Sequence, residues 1–213
     1  MISVLSLLLL LPSILAVEWH ALQYYTANNQ QLTSLSGEMV VPPITKAATY
    51  YLWPGLQPSD NSGVFQPALD GRSGGWWIGW GWCCSNPSLP WGGGFGVSAG
   101  DVVRFSATKN VKSNNWDTTL SVSAKNLNVT NSFALGDKFF NEAVFAIELY
   151  DVSWDFGPLK FKNVVMTTTG TDTGYCTSPP ANLYDSTNYT SSVPKAWTDR
   201  KQKTACRIDS LIL

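Results

Sequence analysis

The chain has 213 residues, a formal net charge of -1 and 44% hydrophobic residues, which together predict one folded domain with a sizeable core. Only 14% of the residues are charged, so the chain lacks the cationic field that nucleic-acid binding requires. His20 is the single histidine, which excludes a multi-histidine metal cage and disfavours a Ser-His-Asp triad. We therefore expect neither a nucleic-acid partner nor a metal site, and no pattern predicts a cofactor.

Residues 1–16 predict a cleaved export signal. The stretch MISVLSLLLLLPSILA is apolar but shorter than the roughly 20 residues of a bilayer span, and the small Ala16 precedes the expected cleavage point. The mature chain, residues 17–213, is then expected to be a secreted, extracellular monomer without membrane contact. The sequons that begin at Asn128 and Asn188 predict N-glycosylation, which suits a secreted surface.

Eight short runs rich in β-branched and aromatic residues, separated by Gly, Pro, Asn and Ser, predict strands. No segment after the signal has a sustained period of about 3.6 residues, which disfavours long helices. This pattern predicts an all-β domain with two packed sheets or a barrel. In chain order, the predicted strands are Ala48–Leu52, Val64–Leu69, Trp76–Trp82, Val102–Lys109, Thr118–Ala124, Ala143–Val152, Leu159–Thr168 and Arg207–Leu213.

Two segments lie outside these predicted strands. Residues 17–46 are expected to hold one strand and a loose lead-in. Ser178–Thr198 is rich in Pro, Asn, Ser and Tyr, which predicts a long surface loop. No repeat or low-complexity linker divides the chain, so both segments are assigned to the same domain.

Alternation in the tryptophan-rich strand separates two faces. One face carries Trp76, Ile78, Trp80 and Trp82. The other carries Trp77, Gly79 and Gly81, and two glycines beside an aromatic wall predict a shallow groove for an extended ligand. The alternative is that the glycines only relieve crowding among the tryptophans.

Glu148 is the candidate ionisable group. Alternation places Phe145 and Ile147 in the core and Glu148 on the opposite face, between Ala146 and Tyr150. Apolar neighbours raise the pKa of a carboxyl, which is a property of catalytic acids and bases. A glutamate in the middle of a strand is more often a partly solvated surface residue, so its pattern alone leaves both interpretations open.

The four cysteines are expected to form disulfides in an oxidising compartment. Four cysteines allow three pairings, and the sequence does not choose among them. A bond between Cys176 and Cys206 would tie the last strand to the chain 30 residues earlier. Cys83 and Cys84, which are adjacent, would then be either joined or free.

Several blocks resemble, in order, the secreted glutamic peptidases, the eqolisin family of acid proteases. Trp53 precedes Gln66 by 13 residues and Asp70 follows four later, which is similar to the family's Trp…Gln…Asp pattern. The segment 77–80 (WIGW) resembles the family's WYEW block, 97–103 (VSAGDVV) its ISEGDSI block, 146–150 (AIELY) its glutamate strand and 156–163 (FGPLKFKN) its FGSVTFTN block. A group of more distant, largely uncharacterised relatives of this family is similar to the chain in two motifs, LWPGLQP and Val-x-Gln-Pro-x-Leu.

The resemblance implies a concanavalin A-like sandwich of two bent antiparallel sheets and an acid endopeptidase that acts on polypeptides. Gln66 and Glu148 would form its catalytic dyad. Glu148 would take a proton from a water that attacks the peptide carbonyl, and the Gln66 amide would donate a hydrogen bond to the oxyanion. An ordinary glutamate titrates at about 4.3, so an acidic working range is expected. Substrate-binding positions would be Trp53, Asp70, Trp77 and Tyr150.

Two positions depart from the family pattern, and a third makes the register of the glutamate strand ambiguous. Gly79 stands where the WYEW block has a glutamate, and Gln57 stands where an aspartate is expected four residues after the tryptophan. Glu142 competes with Glu148 for the register of the glutamate strand. These departures bear on the activity more than on the fold.

Two alternatives to a peptidase remain open. A non-catalytic module that binds carbohydrate or protein would use exposed tryptophans as stacking surfaces, with Trp77, Trp91 and Trp116 as candidates. A glycosidase would need a second carboxylate beside Glu148, and Asp70 or Asp151 would have to supply it.

Overall fold

The fold is an antiparallel β-sandwich, as the sequence predicts. The structure, a computed structural model, describes residues 17–27, 29–84, 86–183, 188–198 and 203–213. The predicted signal, residues 1–16, lies outside the described residues.

Strands make up most of the described residues, and helical structure is minor. The strands are β1 Val17–Tyr25, β2 Leu32–Val40, β3 Thr49–Pro58, β4 Val64–Asp70, β5 Trp76–Cys83, β6 Gly94–Val97, β7 Val102–Asn110, β8 Asn115–Val122, β9 Leu127–Phe133, β10 Phe140–Tyr150, β11 Lys160–Thr168, β12 Ala181–Leu183, β13 Thr190–Ser191, β14 Lys195–Thr198 and β15 Thr204–Ile212. The first sheet has the strand order β12–β1–β10–β3–β4–β5–β6, and the second has the order β13–β15–β11–β2–β7–β8–β9, with β14 also pairing with β15. A 3₁₀ turn spans Ser123–Lys125 and one helix, α1, spans Gly174–Thr177. Among the described residues, no helix has the length and apolar character needed to cross a membrane.

All eight predicted strands are present, with shifted ends. The prediction for residues 17–46 was wrong, because they form two full strands, β1 and β2, one in each sheet. The predicted loop over Ser178–Thr198 contains three short strands, β12, β13 and β14, which pair along the sheet edges. Two further strands, β6 and β9, were not predicted, because the first is glycine-rich and the second alternates weak apolar with polar residues.

The core lies between the two sheets and is unusually aromatic. Strand alternation turns Trp76, Trp80 and Trp82 inward, where all three are buried. Phe65 packs against Trp80 with ring centroids 4.9 Å apart. Trp116, which we considered as an exposed stacking surface, is fully buried in this core, so that prediction was wrong.

Both pairs of cysteines form disulfides in the structure. The Cys176–Cys206 bond joins α1 to β15 inside the core, where both residues are fully buried. The Cys83–Cys84 bond links adjacent residues at the end of β5. The first bond therefore belongs to the core, whereas the second lies at the surface and borders the cavity described below.

A second, smaller apolar cluster lies on the opposite face of the first sheet. It contains Ala21, Trp53, Ala68, Val144 and Ala146, which come from β1, β3, β4 and β10. These residues share the strand parity that faces away from the second sheet. We call this surface the open face, and it carries the candidate site.

Candidate functional site

A cavity of about 850 Å³ opens on the open face of the first sheet. Its wall is rich in aromatic side chains, and its polar groups include two carboxyls, one amide, one guanidinium and two tyrosine hydroxyls. The lining residues are Trp19, Tyr51, Val64, Gln66, Ala68, Asp70, Arg72, Trp77, Cys83, Cys84, Trp91, Glu148 and Tyr150. Gln66 and Glu148 thus line one cavity, together with three of the four predicted substrate-binding positions.

Glu148 lies on β10 between two aromatic neighbours. Trp19 of β1 is its partner on one side and Tyr51 of β3 on the other. The side chain is 7% exposed, and burial raises its pKa from an ordinary 4.5 to about 7, partly offset by the nearby indole N–H of Trp53. Glu148 is therefore mostly protonated in acidic solution and becomes ionised only near neutral pH.

The Trp53 indole lies beneath this part of the cavity. Trp53 is 1% exposed, and its ring contacts Trp19 edge to face at 6.2 Å. Its Nε1 is buried and makes no hydrogen bond of standard geometry, although it lies close enough to Glu148 to favour the ionised carboxylate. Trp53 was predicted to contact substrate, but the structure assigns it to the supporting layer because it does not line the cavity.

Gln66 lies on β4 between two glycines. Gly81 of β5 is its partner on one side. On the other side, the β3–β4 register places Gly55, where a Cβ would lie 3.2 Å from the Gln66 Cβ. Gln66 is 5% exposed and its buried Oε1 has no hydrogen-bond partner. A buried polar atom without a protein partner calls for an explanation, such as a bound ligand or an ordered water.

The strand register separates Gln66 from Glu148 along the sheet. Gln66 lies opposite Gly55, and Gly55 lies opposite Val144 on β10. Glu148 is four residues farther along β10, which corresponds to about 13 Å along the strand and, with two strand spacings, to roughly 16 Å between Cα atoms. Extended side chains do not span this distance with one shared water. The structure therefore brings the predicted dyad into one cavity but places a valine directly across from the amide.

The predicted groove over Gly79 and Gly81 is filled. A Cβ at Gly81 would overlap the indole of Trp91, and a Cβ at Gly79 or Gly94 would overlap the six-membered ring of Trp77. The glycines therefore provide space for two tryptophan rings that lie over the strands. The groove prediction was wrong in this respect, because Trp91 comes from the segment after β5, whose path the alternation of β5 does not determine.

At the end of the cavity near Glu148, Asp70 is held by an ion pair. The Arg72 guanidinium donates to Asp70 Oδ2 at 2.6 Å and 2.9 Å through two nitrogens and lies 5.6 Å from the centre of the Tyr51 ring. Tyr51 in turn contacts Tyr150 edge to face at 5.8 Å. Asp70 and Tyr150 thus line the cavity, and the Arg72 guanidinium pairs with the Asp70 carboxylate. Their role in substrate binding stays a prediction.

A second buried glutamate lies on the same face of β10 and was not predicted as a site residue. Glu142 is 4% exposed, and the Gln23 amide donates a hydrogen bond to its carboxylate. The Tyr25 hydroxyl donates to Gln23 Oε1 at 2.9 Å. Burial raises the pKa of Glu142 to about 7, partly offset by Gln23 and Tyr25. Glu142 and Glu148 are an even number of residues apart on one strand, and this spacing could have indicated that both lie on the same face. The sequence could not indicate that Gln23 of β1 would be the hydrogen-bond partner of Glu142.

The remaining predicted sites lie away from the cavity. Asn128 on β9 and Asn188 before β13 are both exposed, and their glycosylation stays a prediction. Asp151, the alternative second carboxylate of a glycosidase, follows the end of β10 and does not line the cavity. Within the described ranges, no group of three or more His, Cys, Asp or Glu residues is arranged to hold a metal ion.

Comparisons with known proteins identify the fold. No family model and no curated protein matches the sequence. Among solved structures, the chain is similar to scytalido-glutamic peptidase with a peptide-based transition-state analog, with a TM-score of 0.58, 15% identity and coverage of 91% of this chain and 100% of that one. A second structure of that peptidase with an inhibitor and one of SCP-B, an eqolisin with the tripeptide Ala-Ile-His, give TM-scores of 0.57 and 0.55 at the same identity and coverage. The chain thus has a glutamic peptidase-like fold.

Proposed function

We propose that the cavity on the open face binds an extended polypeptide. The observation that carries this proposal is the cavity itself, because it runs across five strands and combines aromatic walls with a few fixed polar groups. Its volume of about 850 Å³ suits several residues of an extended chain. The similar solved structures contain a peptide-based analog and a tripeptide, which supports the same class of ligand.

Hydrolysis of the bound polypeptide is the first candidate activity. Ionised Glu148 would take a proton from a water, whose oxygen attacks the peptide carbonyl carbon. The Gln66 amide would donate a hydrogen bond to the resulting oxyanion, and Glu148 would return the proton to the nitrogen as the C–N bond breaks. Support comes from the burial of both side chains in one cavity and from the unpartnered amide oxygen of Gln66.

Binding without hydrolysis is the second candidate, and the register favours it. Val144, an aliphatic residue, occupies the position across Gly55 from Gln66. The two carboxyls on this face of β10 lie to either side of Val144 along the strand, and Glu142 is engaged by Gln23. The cavity thus retains an amide and a ligand surface without a carboxylate facing that amide. We therefore take polypeptide binding as the function and hydrolysis as the activity to be tested.

A peptide digest across pH 3–8, followed by mass spectrometry, distinguishes the two candidates. If Glu148 is the base, cleavage should rise as pH approaches 7, because burial raises the pKa of Glu148 to about 7 and the base must be ionised. This differs from the acidic range that an ordinary glutamate predicts. Glu148→Gln and Gln66→Ala should then each lower kcat by a factor of about 100 or more. Cleavage that is unaffected by both substitutions would rule out this mechanism.

Val144→Glu provides the complementary experiment. This substitution places a carboxylate across Gly55 from the Gln66 amide, two strand spacings or about 10 Å away between Cα atoms. Side chains of this length can share one water over that distance. If Gln66 can stabilise an oxyanion, Val144→Glu should introduce or increase cleavage by about 100-fold, whereas Val144→Gln, its neutral control, should not. If neither variant cleaves the peptide detectably and both bind it with wild-type affinity, binding without hydrolysis is the function.

Secretion belongs to the same proposal. It rests on the apolar segment at residues 1–16, the sequons at Asn128 and Asn188 and the four cysteines that pair in the structure. Expression with the full leader in a eukaryotic host tests it. Medium should contain a chain that starts near Val17, with a mass increase that disappears after enzymatic removal of N-glycans.

A further inference from the structure

Two tryptophan rings form one wall of the cavity, and glycines determine where they lie. A Cβ at Gly81 would meet Cδ2, Cε3 and Cε2 of Trp91 at similar short distances, which places the indole face against the backbone of β5. The Trp77 ring covers Gly79 and its partner Gly94 on β6. Any side chain at these three positions would displace a ring. We call Trp77 and Trp91 the tryptophan platform.

The platform is accessible to a ligand. Trp91 is 43% exposed and Trp77 is half-buried, and both line the cavity. Because the inner faces of the rings lie against the sheet, their outer faces are directed toward the cavity. Flat aromatic faces bind other rings and apolar groups by stacking.

The spacing of the platform matches an extended chain. Gly79 and Gly81 are two residues apart on β5, which separates the covered positions by about 7 Å. In an extended polypeptide, side chains on one face recur at the same interval, because successive side chains alternate. A polypeptide that runs along β5 would therefore place residues i and i+2 on the two rings. It would also pass Gln66, whose neighbour on β5 is Gly81.

We propose that the tryptophan platform selects polypeptides with aromatic or large apolar side chains at positions i and i+2. This inference rests on the proposed polypeptide-binding function and specifies its ligand. Two stacking contacts should strengthen binding by about tenfold or more over a chain that lacks them. A pair at i and i+1 should gain at most one contact, since the second side chain points away from the sheet.

The test uses the mature chain and three fluorescent decapeptides on a Ser/Thr background. One carries Phe at i and i+2, one carries Phe at i and i+1, and one carries none. Fluorescence anisotropy gives each Kd, and mass spectrometry monitors cleavage in the same samples. The variants are Trp77→Ala, Trp91→Ala and Gly81→Ala, the last of which should displace the Trp91 ring. Trp197→Ala is the matched control, because Trp197 is 47% exposed on β14 of the other sheet.

The expected result is about tenfold tighter binding of the i, i+2 peptide, lost in all three platform variants and kept in Trp197→Ala. Equal binding of the three peptides, or unchanged affinity in Trp77→Ala and Trp91→Ala, would overturn the platform inference while leaving polypeptide binding intact. If no peptide binds below millimolar concentration, the proposed function itself fails. Quenching of tryptophan fluorescence by oligosaccharides in that case would assign the platform to carbohydrate.

Discussion

Glu142 and Glu148 lie on the same face of β10, six residues apart, and differ in what surrounds them. Burial raises the pKa of both carboxyls to about 7. Glu142 accepts a hydrogen bond from Gln23 and lies outside the cavity, whereas Glu148 lines the cavity near the indole N–H of Trp53 and the side chains of Tyr51 and Tyr150. The comparison shows that a raised pKa by itself does not locate a functional site. Position in the cavity, and not the raised pKa, is what distinguishes Glu148 from Glu142.

The free energy of unfolding should depend on pH through the combined effect of the Glu142 and Glu148 carboxyls. Each binds its proton more tightly in the folded chain, so the free energy of unfolding should be highest near pH 4–5 and should fall as pH rises through 7. At about 1.4 kcal/mol per tenfold change in proton affinity, the two groups amount to a loss of roughly 6 kcal/mol by pH 8. Urea unfolding at pH 5 and pH 8 measures this. Equal stability at the two pH values would show that neither carboxyl is buried as described.

Below pH 4 a different set of groups should reverse the trend. Hydrogen bonds or nearby lysines and arginines lower the pKa of several surface aspartates, so their stabilising contribution is lost as acid protonates them. These residues are Asp60, Asp101, Asp117, Asp155 and Asp209. The unfolding curves should therefore have a maximum in mildly acidic solution.

Replacing one carboxyl at a time separates the two sites. Glu148→Gln removes a charge that becomes costly above neutral pH, so the variant should be more stable than the wild type by about 3 kcal/mol at pH 8 and equal to it at pH 4. Glu142→Gln should show a similar gain between the two pH values, because the pKa of Glu142 is also raised to about 7 with the hydrogen bond from Gln23 already in place. Chemical denaturation of both variants at the two pH values provides the comparison. A variant whose stability relative to the wild type is the same at both pH values would show that its carboxyl is not buried as described.

The two buried glutamines allow the smallest and most specific comparison. Gln23→Leu removes the amide that donates to Glu142, which should cost about 2 kcal/mol at pH 8 and less at pH 4, where Glu142 is protonated. Gln66→Leu is its matched control, because Gln66 Oε1 has no partner to lose. We expect little change or a small gain in the thermal midpoint of Gln66→Leu. Equal losses in both variants would contradict the difference between the sites.

Alternation along single strands predicted the fold and the composition of the open face. The period of two placed Phe145 and Ile147 in the core and Glu148 opposite them, and it placed Trp76 and Trp80 inward. These assignments depend only on local geometry, which each strand carries in its own sequence. The edge strands and β9 were missed because they bury few apolar residues and their pairing is decided by the rest of the sheet.

The pairing register between strands that are far apart in the chain could not be predicted from the sequence. Gln66 and Glu148 are 82 residues apart in the chain, and their relative position depends on two separate pairings through β3. A slip of two residues preserves every face assignment, so alternation cannot detect it. The same limit applies to Trp91, which reaches Gly81 from the segment after β5.

Gly79, Gly81 and Gly94, against which the Trp77 and Trp91 rings lie, provide a simple criterion for comparing related sequences. A chain with any bulkier amino acid at one of these sites cannot keep the matching indole flat, whatever the rest of its fold. Glycine at all three positions is therefore the sequence pattern to expect wherever both indole rings lie flat on the sheet. The residues at these three positions therefore indicate which related proteins are suitable for comparison with this chain in peptide-binding measurements.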